Sequence, residues 1–174
     1  VFALLERNLQ HNLGSRGQAF NLALSDSRAE LAIAVARSGN LGSSSLESVS
    51  GEQFAQTIQA VVGDDFLAEQ GIADIDFIKI DVEGFEPQVI EGAVATITND
   101  HPSLLLEIED RHLARYGKDG NSFAESILAR WPEYGMYVWQ DDRWVAADEV
   151  VLGIRNYLFA TEDAFQTSRV TRSQ

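Results

Sequence analysis

Lys79, Asp81 and Glu83 stand at alternate positions in an otherwise apolar run, DFIKIDVEGFEPQVIEGA, which begins at Asp76. Side chains alternate along a strand, so Ile78, Ile80 and Val82 share one face, and Phe77, Lys79, Asp81 and Glu83 the other. A central parallel strand is covered on both faces. Charges on it must be paired or must lie at an opening, because an unpaired buried charge is very costly. Gly84 lets the backbone turn sharply away, and Pro87 suits the first position of a following helix. In an open α/β sheet the opening is the crevice beyond the carboxyl ends of the strands. The run therefore delivers Asp81 and Glu83 to a crevice, with Lys79 about 7 Å below Asp81 on the same face to neutralise and orient it. A carboxylate there can accept or orient a hydroxyl proton. The structural alternative is an ion pair of Lys79 with Asp81 or Glu107 that only fixes the sheet.

More carboxylate follows in SLLLEIED, where Glu107, Glu109 and Asp110 reach the same sheet end. Glu109 and Asp110 also read as a solvated strand exit. Asp81, Glu83 and Glu107 offer three oxygens that would suit Mg²⁺ or Ca²⁺, but their spacing demands no metal. His11, His101 and His112 have no spaced partner and are assigned structural roles. Trp131, Trp139 and Trp144 read as core and hairpin packing, with sugar stacking by Trp144 as the alternative.

The elements that must position these groups are legible from periodicity. Phe2, Leu5, Leu9 and Leu13 recur at helical spacing, and the helix ends near Asn12–Gly17. Strands are predicted near Ala19–Leu24, over AELAIAV, around Ile58–Val62, and over Ile75–Val82, Ser103–Ile108, Tyr134–Gln140 and Asn156–Ala160. RSGNLGSSSLESVSG is a Gly- and Ser-rich loop, either a connector or a lid. EPQVIEGAVATITND reads as one helix with Val89, Ile90, Ala93, Val94 and Ile97 on one face. Strand, helix, strand makes a parallel βαβ unit. A helix capped by a Ser122–Glu125 box buries Phe123, Ile127, Leu128 and Trp131. A hairpin turns at Asp141–Asp142, and 166–174 form a polar tail. The class is α/β with a mostly parallel sheet and antiparallel elements late in the chain.

The chain has 174 residues, 45% hydrophobic and 23% charged, enough for one domain with a core. Its net charge of −14 disfavours nucleic acid and anionic membranes as partners. No apolar run is long enough to span a bilayer. Cysteine is absent, which excludes disulfides and thiolate metal sites. A cytoplasmic location is the default expectation; the oligomeric state is open.

The run from Asp76, followed by HPSLLLEIED, resembles the central signature of the FkbM-type methyltransferases. LLERNLQHN, FNLALSDSRAELAI, GSSSL and VVGDDFL resemble further segments of that family. The resemblance implies a Rossmann-like class I methyltransferase fold of strand order 3-2-1-4-5-7-6, with the strand near Ala19–Leu24 third and the signature strand fourth. It implies S-adenosylmethionine as methyl donor and a hydroxyl of a sugar or secondary metabolite as acceptor. Asp81, Glu83 and Lys79 become the catalytic candidates, and Leu24, Ser25, Asp26 and Asp81 the cofactor-binding ones. In such folds the turn at Leu24–Asp26 contacts adenine, although Asp26 could equally cap its own backbone. The family's Gly-rich loop and acidic ribose-binding strand lie upstream of Val1. Residues 1–165 thus resemble the carboxyl-terminal two-thirds of the domain, without its first two strands. The expectation is that this chain alone is unstable and binds the cofactor weakly. A non-catalytic binding remnant and a carboxylate–metal hydrolase are the alternatives.

Overall fold

The computed structural model describes residues 2–35, 44–45 and 55–165. Most of the Ser-rich loop and the tail at 166–174 lie outside these residues. Helix α1 (Phe2–Leu13) carries the predicted leucines, yet Leu4, Leu5 and Leu13 remain exposed.

The strands form two sheets. β1 (Ala23–Ser25), β2 (Ala29–Val35), β3 (Ser44–Ser45) and β4 (Ala55–Val62) lie in the order β1-β4-β2-β3. β1 is parallel to β4, and β2 antiparallel to it. The second sheet holds β5 (Phe77–Ile80), β6 (Ser103–Glu107), β7 (Tyr134–Gln140), β8 (Arg143–Ala146) and β9 (Asn156–Thr161), in the order β5-β6-β9-β7-β8. β5 pairs with β6 in parallel, Phe77 opposite Ser103 and Ile80 opposite Leu106. β9 is antiparallel to both β6 and β7. With β5 as strand four, β5-β6-β9-β7 reads 4-5-7-6. β1 and β5 are not hydrogen-bonded to each other, as expected, and among the described residues β5 is an edge strand.

The core lies between the second sheet and its helices. Ile80, Leu104, Leu106, Tyr157 and Phe159 from the strands meet Val89 and Ile90 of α3 (Glu86–Glu91), Ile97 of α4 (Val94–Asp100), and Phe123 and Ile127 of α6 (Gly120–Arg130). Trp131 packs here and donates from Nε1 to Thr98 Oγ1 at 2.9 Å. Trp139 and Trp144 stack edge to face across the hairpin, 5.2 Å apart. The hairpin turns at Asp141 and Asp142, both at positive φ, as a two-residue turn of matching twist requires.

Several boundaries differ from the sequence reading. β1 is three residues long, since β4 pairs with Ala23–Ser25 alone. β5 stops at Ile80, not Val82, because the chain leaves β6 there and Glu83 and Gly84 take positive φ. β5 is also not covered on both faces: at this sheet edge Phe77 is 53% exposed and Lys79 lies open. The cap of α6 is Asp119, which accepts from Ser122 N and Oγ, rather than the Ser122–Glu125 box.

The single predicted helix at 86–100 is broken in two at Gly92 and Ala93. Two contacts cause the break. A Cβ on Gly92 would overlap the Ser25 carbonyl at the end of β1. Asp64, at the start of α2 (Gly63–Gln70), caps α4 from outside, accepting from Ala95 N, Thr96 N and Thr96 Oγ1 at 2.7–2.9 Å. Asp64 N also donates to Gly92 O at 2.7 Å. This joint ties the first sheet to the helices of the second.

Candidate active site

The turn after β5 sets the site. Glu86, 1% exposed, accepts from Val82 N at 3.1 Å and Gly84 N at 3.2 Å, so a buried carboxylate holds the turn closed. Burial pushes the Glu86 carboxyl up, against the pull of those amides. Gly84, at φ +103°, lies against the His112 backbone, and a Cβ there would stand 2.6 Å from His112 O. α5 (Asp110–Leu113) can approach β5 only because position 84 has no side chain.

Asp81 emerges from this turn half exposed and accepts from Lys79 Nζ at 2.5 Å. The Lys79 hydrogen bond holds Asp81 below the usual carboxylate range. Glu107 faces it from the end of β6. Burial, and then the hydrogen bond and charge of Asp81, push Glu107 up to about 7. Asp81 is therefore the ionised member of the pair near neutral pH, while Glu107 is near its midpoint. Burial opposes ionisation of Glu109, but Arg111 (Nε 2.6 Å, Nη2 3.2 Å) and Arg155 (3.1 Å) outweigh it and hold that carboxyl low.

A cleft of about 470 Å³ opens beside β5, between the two sheets. Its lining includes Leu24, Ile58, Ile78, Lys79, Asp81 and Phe85. Leu24 and Asp81, remote in sequence, thus share one cavity. Ser25 is buried where Gly92 crosses it, and Asp26 is exposed, accepting from Ser25 Oγ at 3.2 Å and Ser27 Oγ at 3.0 Å. Ser25 and Asp26 do not line the cleft. Glu83 does not line the cleft, and its charge acts on Arg111.

In the sequence, Asp81, Glu83 and Glu107 form the alternative carboxylate cluster. Among the described residues, the three groups whose ligand atoms lie within 4.8 Å of one another are Glu107, Glu109 and His112. His112 differs from the sequence reading, being buried among carboxylates rather than lacking neighbours. Its signal was the local spacing Glu107, Glu109, His112, two and then three residues apart. His11 is exposed on α1, and His101 pairs with Glu133 at 2.9 Å.

A chain with this βαβ unit and charged strand exit is similar to known proteins. The crystal structure of Methyltransferase FkbM from Methylobacillus flagellatus KT superposes with a TM-score of 0.52 at 17% identity, over 90% of this chain. It shares the fold, and this chain spans 32% of its length. No curated protein sequence matches. The sequence model of the Methyltransferase FkbM domain matches residues 3–136, a span that holds both sheets' first strands, Asp81 and the Glu107–His112 segment. The chain therefore belongs to the FkbM methyltransferase family.

Proposed function

We propose that this chain supplies the acceptor side of an S-adenosylmethionine-dependent O-methyltransferase, with Asp81 as the group that orients and accepts the hydroxyl proton. The acceptor is a hydroxyl of a sugar or secondary metabolite. The observation that carries the reading is the position of Asp81: ionised, held by Lys79, and on the lip of the cleft.

The cleft fits a nucleoside-sized group. Its volume lies within the roughly 300–1,000 Å³ usual for small-molecule sites, and its walls at Leu22–Leu24, Ile58 and Ile78 are apolar, as a planar base requires. Leu24 supports the base, and Asp26, exposed on the turn after it and outside the cleft lining, keeps Oδ2 as an acceptor for an exocyclic amine. When bound, the sulfonium cofactor supplies an electrophilic methyl group for in-line displacement. Asp81 then aligns the acceptor oxygen and takes its proton. Lys79 fixes the Asp81 carboxylate through the ion pair, and Glu83, two residues on in the same turn, is the second candidate carboxylate.

The test is Asp81→Asn in an active polypeptide that contains this chain. Turnover should fall by about 10²-fold or more, the scale of a positioned acid or base. Near-normal turnover would remove Asp81 from the chemistry and move the role to Glu83.

A further inference from the structure

We propose that Glu107, Glu109 and His112 form a binding site for one divalent transition-metal cation, of the Mn²⁺ or Zn²⁺ class, at the carboxyl end of β6. One ligand atom from each lies within 4.8 Å of the others. Donor atoms around an ion at ~2.1 Å stand roughly 3.0–3.4 Å apart, so small side-chain rotations close the set.

The independent observation is His112. It is 8% exposed, and its imidazole makes no hydrogen bond among the described residues. Its ring nitrogens stay within reach of solvent, and so of an ion, because the buried side-chain atom without a partner among the described residues is Gln88 Oε1. The imidazole faces two carboxylates, and the close contact of Gly84 fixes its backbone. One nitrogen with two carboxylate oxygens is a donor set for Zn²⁺ or Mn²⁺. Mg²⁺ and Ca²⁺ favour oxygen alone, and softer ions favour sulfur.

The local charge permits a cation. Asp81, Glu83, Glu107 and Glu109 meet Lys79, Arg111 and Arg155, which leaves the sheet end negative when all four are ionised. Arg111 and Arg155 take part of Glu109, but a carboxylate has about four acceptor sites. Three protein ligands leave coordination positions open. On the methyl-transfer reading above, an acceptor oxygen would fill one of them and lose its proton more readily.

The test needs no methylation. Titrating the chelator-stripped chain with Mn²⁺, followed by electron paramagnetic resonance, should show one site with a Kd of ~10–100 μM. Pulsed resonance on the bound ion should show coupling to an imidazole nitrogen. Glu109→Gln and His112→Gln should each weaken binding by about tenfold or more, the least that supporting residues of metal sites cost. His101→Gln, at the exposed Glu133 pair, should leave it unchanged. A Kd weaker than ~1 mM, no nitrogen coupling, or unaltered affinity in both cluster variants would overturn the site. The nitrogen coupling decides on the unaltered chain even if His112→Gln fails to fold. Methyl transfer without Mn²⁺ binding would remove the metal alone. Mn²⁺ binding in an active polypeptide indifferent to Asp81→Asn would remove the Asp81 role alone.

Discussion

Lys79 and Asp81 are each 49% exposed, so their ion pair is a surface pair. Such pairs contribute about 0–1 kcal/mol. Asp81→Asn should therefore change unfolding free energy by less than ~1 kcal/mol in equilibrium denaturation. A loss of ~3 kcal/mol or more would make Asp81 a structural partner whose removal strands a charge. Glu86 gives a pH prediction. Burial raises its folded value, so the folded chain holds its proton more tightly than the unfolded one. The stability it contributes is complete below the ordinary carboxylate value and is lost as pH rises through the folded value. Glu86→Gln keeps an oxygen for the Val82 and Gly84 amides. It should be more stable than the parent near pH 8, with the advantage gone below about pH 4; urea melts at both pH values check this. Alternation in the sequence pointed to Lys79 and Asp81 because period-two patterns need only neighbours. Glu86 and Glu107 draw their character from burial and from a partner on another strand, which periodicity does not encode.

At the scale of elements, the βαβ unit and its parallel pairing were legible because apolar runs separated by one helix leave few topologies. The break at Gly92 was not, since its cause is a carbonyl from β1 and a cap from α2, 67 and 28 residues away. Gly92→Ala should force β1 and α3 apart and cost at least ~3 kcal/mol, an overpacking penalty against backbone that has no rotamer to yield. Asp64→Ala should cost ~1–2 kcal/mol, the range of a lost helix cap. Thermal unfolding should also show the two effects to be less than additive, because both changes open one joint. Full additivity would mean the sheets are tied elsewhere.

At the scale of the whole molecule, the described residues form two sheets with a cleft between them, into which the ends of β1 and β5 bring Leu24 and Asp81. The order of the second sheet follows from the family resemblance; the separation of the first was foreseen only as a missing hydrogen-bonded contact between β1 and β5. No G-x-G run of the phosphate-cradling kind precedes β5 in this sequence. Binding of S-adenosylmethionine to this chain should therefore be weak, in the millimolar range (~1 mM, about 4 kcal/mol). The most direct measurement is a nitrogen-15 chemical-shift titration of the chain with that cofactor. The account predicts fast-exchange shifts concentrated at Leu24–Asp26 and Asp81–Gly84, with β7 and β8 unmoved. Shifts that bypass both segments, or low-micromolar saturation without them, would contradict it.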